Sequence, residues 1–116
     1  MDKNTDLTLR VLARIQQYSQ DGPITGAALA AEFGISWRKV ADIVEDLRDN
    51  GHKVGSSMTA PMGYFIAHHP VELVSTLEHL ESRAKKILGR RNRLANWGGA
   101  QPTIFEQQIE AREIAA

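Results

Sequence analysis

Apolar residues recur at helical spacing in the first part of the chain and predict a helix there. This helix follows the capping candidates Thr5 and Asp6, covers about residues 6–20 and ends before the Gly22-Pro23 pair. Such a face must pack against another element. Its apolar positions are Leu7, Leu9, Val11, Leu12, Ile15 and Tyr18.

Two further helices are predicted in close succession. One covers about residues 26–33, between the N-cap candidate Thr25 and Gly34, a residue type that tolerates a left-handed backbone. The other covers about residues 37–50 and begins after a second N-cap candidate, Ser36. A turn of only three residues separates the two helices. The apolar stripe of the later helix consists of Val40, Ile43, Val44 and Leu47.

After the third helix, the pattern changes to two short strands. Residues 53–57 and 64–67 flank a loop that contains Pro61 and Gly63. We expect the whole of residues 53–67 to form a β-hairpin.

A long helix is predicted to follow the hairpin. Pro70 suits its first turn, and no other proline occurs before about residue 97. Residues 70–97 therefore form the longest predicted element, and residues 98–116 are expected to be a flexible polar tail. The predicted fold class is mainly α with a small β-hairpin, that is, α+β.

The middle of the chain resembles a known family. The pattern Leu-Ala-x-x-Phe-Gly-Ile-Ser-x-x-x-Val occupies residues 29–40, and a hairpin ending in Gly63-Tyr64 follows. In these residues the chain resembles the N-terminal domain of the biotin operon repressor family and, more loosely, small phage-encoded winged-helix regulators. The resemblance implies a winged helix-turn-helix over roughly residues 22–67, in a domain of residues 1–69.

The resemblance also implies a function. It points to sequence-specific binding of double-stranded DNA by a transcriptional regulator of prokaryotic or phage type. Because the same helices also serve protein contacts in other proteins, the alternative is a replication-associated or protein-interaction adaptor.

In the implied complex, the third helix is the recognition helix and enters the major groove by its N-terminal end. Arg38 is the candidate for a guanine edge because its guanidinium can donate two hydrogen bonds, whereas Lys39 suits a phosphate. Trp37 either contacts nucleic acid or packs against the hairpin or the first helix. The candidate DNA-binding residues are Thr25, Ser36, Trp37, Arg38 and Lys39 and, in the hairpin, Lys53, Ser56, Ser57 and Thr59.

Acidic residues limit how this domain could bind DNA. Asp42, Glu45, Asp46 and Asp49 occupy the rest of the third helix, so only its first turn can approach a phosphate backbone closely. Residues 22–69 contain four basic and five acidic residues. We therefore expect the domain alone to bind weakly.

Charge is unevenly distributed along a chain whose formal net charge is zero. The segment 83–93 carries six basic residues and no acidic one, which leaves the remaining residues at −6. These six residues are candidates for auxiliary phosphate contacts. They are Arg83, Lys85, Lys86, Arg90, Arg91 and Arg93.

Apolar residues of the long helix alternate four and three apart, the spacing of a coiled-coil seam. The hypothesis is a homodimer that presents two DNA-binding domains to two half-sites. The alternative is that residues 71–80 cover the domain and the basic end is solvated. The seam residues are Leu73, Leu77, Leu80, Ala84, Ile87 and Leu94, with Arg91 interrupting the pattern.

The tail suggests a partner of another kind. Gln101, Ile104 and Phe105 resemble the short peptide by which bacterial and phage proteins dock on the sliding clamp of DNA replication. The alternative is an amphipathic tail helix that folds back onto the domain or a partner.

Several functional classes find no support in the residues. The chain has no cysteine, no phosphate-binding glycine loop and no nucleophile motif, so we predict that it is not an enzyme and needs no cofactor. The adjacent His68 and His69 would chelate one ion poorly, so no metal is expected. Lacking long apolar stretches, the chain is expected to avoid membranes and to act in a cytoplasm, near the nucleoid or in a phage-infected bacterium.

Overall fold

The structure, a computed structural model, describes residues 3–60 and 62–97. It is mainly helical and contains a two-stranded antiparallel hairpin, which confirms the predicted α+β class. The chain divides into two compact units after Glu78. The elements are α1 (Lys3–Ile15), α2 (Gly26–Phe33), α3 (Trp37–Asp49), β1 (Val54–Ser56), β2 (Tyr64–Ile66), a short 3-10 helix (Pro70–Leu73) and α4 (Val74–Ala95).

The bounds predicted for the first helix were wrong at both ends. α1 begins at Lys3, so Thr5 and Asp6 lie inside its first turns, and it ends at Ile15. The chain cannot continue as a helix to residue 20 because the carbonyl of Tyr18 accepts a hydrogen bond from the amide of Ile66 in β2, at 3.1 Å. Pairing with a distant strand thus shortens the helix.

The helix pair α2 and α3 confirms the local signals in the sequence. The hydroxyl of Thr25 accepts a hydrogen bond from the amide of Ala28, and that of Ser36 accepts one from the amide of Lys39. Gly34 ends α2 with φ of 63°, a left-handed conformation that glycine adopts without strain. Two caps and one glycine therefore set the turn between these helices.

The hairpin is held on both sides. β1 pairs with β2 so that Gly55 lies opposite Phe65, and the far side of β2 pairs with Ile24, the residue before the N-cap of α2. On the outer side of β1, Arg48 donates to the carbonyl of Val54 and to the hydroxyl of Ser56. Few polar groups of this strand are thus left for pairing with another chain.

One core lies beneath α1, α2, α3 and the hairpin. The stripe predicted on α3 is fully buried, and Ile35 in the turn packs against the same cluster. The buried apolar residues are Val11, Leu12, Ile15, Ile24, Leu29, Ala30, Val40, Ile43, Val44, Leu47, Val54 and Phe65.

The long helix begins later than predicted. Pro70 opens a 3-10 turn, and the α-helix proper starts at Val74 and ends at Ala95 rather than Trp97. Near this start, Thr76 is only 4% exposed. Its hydroxyl accepts a hydrogen bond from the amide of Ser56 at 2.9 Å and donates one to the carbonyl of the same residue at 3.3 Å.

We predict that this hydroxyl contributes measurably to stability. Thr76→Val keeps the volume but leaves the amide of Ser56 without its partner, which should lower the free energy of unfolding by about 1–3 kcal/mol. Thr76→Ser keeps the hydroxyl and should lower the free energy of unfolding by less than Thr76→Val does. Urea denaturation followed by circular dichroism measures both, and equal stability of the valine variant and the unchanged protein would contradict the prediction.

Candidate functional site

The starts of α2 and α3 touch each other through one aromatic ring. The indole of Trp37 lies on Gly26, such that a Cβ added to this glycine would be 3.1 Å from Cζ3 of the ring. Trp37 nevertheless remains 65% exposed. The sequence suggested that Trp37 could pack against the hairpin or the first helix. The contact that the structure shows is with Gly26, which belongs to α2.

The returning limb of the hairpin meets the same place. Ile24 and Tyr64 exchange two backbone hydrogen bonds, of 2.9 and 2.7 Å. Gly63 lies so close that a Cβ on it would overlap the carbonyl oxygen of Ile24 and would be 3.0 Å from the amide nitrogen of Thr25. The starts of α2, α3 and β2 therefore converge on residues 24–26, which we call the corner.

The N-termini of two helices meet at the corner. The first amides of a helix have no partner within the helix, and its N-terminus carries a partial positive charge. Arg38 extends outward with its side chain 89% exposed, and it forms a loose ion pair with Asp42, at 4.0 Å. Lys39 is half-buried beside it. Of the five candidates from this part of the sequence, all lie at the starts of α2 and α3.

Two of the three hydroxyl candidates in the hairpin, Ser56 and Ser57, form hydrogen bonds within the fold, whereas Thr59 is exposed. Ser56 accepts a hydrogen bond from Arg48 at 2.7 Å, and the hydroxyl of Ser57 donates to the carbonyl of Thr59 at 3.0 Å. Lys53 is exposed but lies at the base of the hairpin, where its carbonyl accepts from the amide of Ala67. Ser56, Ser57 and the backbone of Lys53 therefore stabilise the hairpin.

Sequence reasoning missed what the hairpin does expose. Met58 and Met62, on the loop between the strands, are 43% and 63% exposed. A signal was present, since no lysine, arginine, aspartate or glutamate occurs in residues 54–71. The tip of the hairpin is therefore apolar where a phosphate-binding loop would carry basic residues.

The acidic side of α3 is exposed as expected. Asp42, Glu45, Asp46 and Asp49 all lie at the surface. An open groove of about 450 Å³ runs beside Asp46, with Leu9 and His52 among its lining residues. Behind its first turn, α3 presents carboxylates that repel a polyanion.

The second unit, taken by itself, presents a basic stripe on α4. Arg83, Lys86, Arg90 and Arg93 recur three and four apart and are exposed. Together with Lys85 and Gly89, three of them line an open groove of about 430 Å³. Lys85 also pairs with Glu81 at 3.6 Å, and Arg91 lies on the seam side of the same helix.

Most of the proposed seam residues are exposed in the part of the chain that the structure describes. In the second unit Leu80, Ala84, Ile87 and Leu94 are exposed. In the first unit Leu77 is exposed and Leu73 is half-buried, while Val71 and Val74 are exposed as well. Near the start of α4, Thr76 is buried against the domain and Leu73 is half-buried.

Three further sequence predictions concern a metal site, a membrane span and the tail peptide. In residues 3–60 and 62–97 no group of three or more histidine, aspartate or glutamate side chains is arranged to hold a metal, and the amide of His68 donates to the carboxylate of Glu72. Within these ranges no helix has the length and apolar character needed to span a membrane. The tail peptide Gln101, Ile104 and Phe105 lies outside the described residues.

Comparison with protein-family models, with curated proteins and with solved structures finds no match to this chain. A functional interpretation therefore depends on the geometry of the corner and on the two faces of α4.

The two glycines of the corner should differ sharply when a methyl group is added. In Gly63→Ala the Cβ meets backbone, which cannot move aside, and we expect a loss of about 1–3 kcal/mol in the free energy of unfolding. In Gly26→Ala it meets an exposed indole that can shift, so the change should stay below about 1 kcal/mol.

Urea denaturation measures the stability of both variants. Fluorescence of Trp37 in a Trp97→Phe background reports movement of its ring. Gly22→Ala is the control, because a Cβ there meets nothing within 4 Å. Equal stability of the Gly63 and Gly22 variants would show that the corner is looser than described.

Proposed function

We propose that this chain is a winged helix-turn-helix protein that binds double-stranded DNA in a sequence-specific manner and regulates transcription in a prokaryote or a phage. The observation that carries the proposal is the corner, where two capped helix starts and the returning limb of a hairpin meet beside Arg38. Partial positive charges at helix starts favour phosphates, and an exposed guanidinium favours a base edge.

In the proposed complex, α3 enters the major groove with its first turn. Arg38 is exposed and only loosely paired with Asp42, so a guanine can displace that partner at small cost. Lys39 and the hydroxyl of Ser36 contact the adjoining backbone. The carboxylates behind the first turn prevent the rest of α3 from lying along a phosphate chain.

The start of α2 supplies a second contact with the same backbone. Thr25 uses its hydroxyl oxygen to cap the helix, and the hydroxyl proton is left to donate to a phosphate. Trp37 lies between the two helix starts on Gly26 and so fixes their spacing.

A dimer through α4 makes up for the small number of cationic contacts in the first unit. The apolar face with Leu80 and Ile87 is exposed in the single chain, and the basic stripe with Arg90 is a separate face of the same helix. Pairing two apolar faces leaves both basic stripes available to phosphates. Two linked domains bind far more tightly than one because the second contact is intramolecular.

We expect Arg38→Ala with Lys39→Ala to remove sequence preference. Selection of duplexes from a random library at near-physiological salt should enrich a palindromic site with the unchanged protein, and the double variant should bind that site roughly tenfold to hundredfold more weakly, as loss of a base contact worth about 1–3 kcal/mol implies.

Arg10→Ala is the matched control, since it removes a charge from α1, where the side chain lies over Phe33. A protein that enriches no duplex would contradict the proposal. Tighter binding to another protein than to any DNA would favour the adaptor.

Sedimentation should show a dimer that depends on the apolar face of α4. Ile87→Asp places a charge on that face and should shift the protein to monomer. Ser82→Asp adds the same charge on the other side of the helix and should leave the dimer intact. A monomer of the unchanged protein at high micromolar concentration would rule out pairing through α4.

A further inference from the structure

The tip of the hairpin is the apolar surface that the DNA contacts above do not use. Met58 and Met62 flank the loop and are 43% and 63% exposed. The thioether side chains of Met58 and Met62 would be shielded from water only if a partner covered them. Single exposed apolar residues are common, and two on one loop offer a partner more apolar area than one does.

The tip is anchored directly beside the corner. Met62 precedes Gly63, whose backbone is pressed against Ile24, and the amide of Ser57 donates to the carbonyl of Gly63 at 2.8 Å to close the base of the loop. The loop therefore starts from a fixed point next to the cationic helix starts. A partner that docks on the corner therefore lies next to the residue from which the loop leaves.

Charge complementarity limits what this neighbour can be. The corner, with Arg38 and two helix starts, suits a polyanion. The hairpin loop carries no charged side chain and exposes two methionines. Duplex DNA has both properties, an anionic exterior and an apolar interior between stacked base pairs.

We propose that the tip is a wedge that enters the minor groove and places Met58 or Met62 between two base pairs, which kinks the duplex away from the protein's corner. This inference rests on the proposed DNA binding. Apolar side chains, methionine among them, unstack base steps when a protein inserts them from the minor groove, and bends of about 20–90° result. The unbranched, flexible thioether fits such a narrow gap.

The wedge adds a source of specificity that needs no hydrogen bond to a base. Pyrimidine–purine steps such as TA and CA unstack at lower cost than others. The site recognised by this protein should therefore contain such a step next to the bases that Arg38 contacts.

The test uses a duplex recovered by the selection described above, labelled at both ends for energy transfer. The unchanged protein should bend it, and Met58→Ser with Met62→Ser should remove most of the bend and weaken binding roughly tenfold. Met58→Leu with Met62→Leu keeps apolar side chains and should keep most of the bend. Val71→Ser removes an exposed apolar side chain outside the hairpin and should change neither quantity.

The outcomes separate the wedge from DNA binding itself. A tightly bound but straight duplex, or an unchanged bend with the serine variant, would overturn the wedge and leave the proposed function intact. The wedge would likewise be overturned if the serine variant altered sedimentation but not the bend, because the tip would then contact a second copy. If no duplex is recovered, the proposed function and the wedge both fail.

Discussion

The candidate site depends on the backbone pairing of Ile24 with Tyr64. These two residues lie far apart in the sequence, and their two hydrogen bonds fix the hairpin to the residue that precedes the N-cap of α2. The absence of a side chain on Gly63 allows this close approach. Because the N-cap Thr25 and Gly26 follow at once, the same contact determines where Trp37 lies and where the first turn of α3 points. Bonds from Arg48 also join α3 to β1, but the pairing of Ile24 with Tyr64 is what brings the returning strand to the start of α2.

Local signals in the sequence predicted most of the helix pair. Thr25, Gly34 and Ser36 act through neighbours a few residues away, so their roles follow from the sequence alone. Contacts between distant segments could not be predicted from such local signals. The early end of α1 follows from a bond between Tyr18 and Ile66, and the burial of Thr76 follows from its two bonds to Ser56. Neither pairing leaves a periodic pattern in the sequence.

The candidate site was predicted in part, for a related reason. Residues at the start of α3 were identified because their type and position suffice to suggest a contact with DNA. The support of Trp37 by Gly26 was not, since a glycine at a helix start has many possible causes. The hydroxyls of Ser56 and Ser57 form hydrogen bonds within the fold, which the sequence did not indicate.

The distribution of charge assigns different physical tasks to different surfaces of the proposed complex. Binding that releases counterions weakens as salt is added, in proportion to the phosphates neutralised. If the chain binds DNA as proposed, the basic stripe of α4, with Arg83 and Arg90, would supply most of the salt-sensitive affinity, whereas the uncharged tip would contribute a term that salt scarcely changes. The first unit, with only a few cations and an acidic α3, is left to determine position. The proposal thus places affinity and selectivity on separate elements, which could then be varied independently.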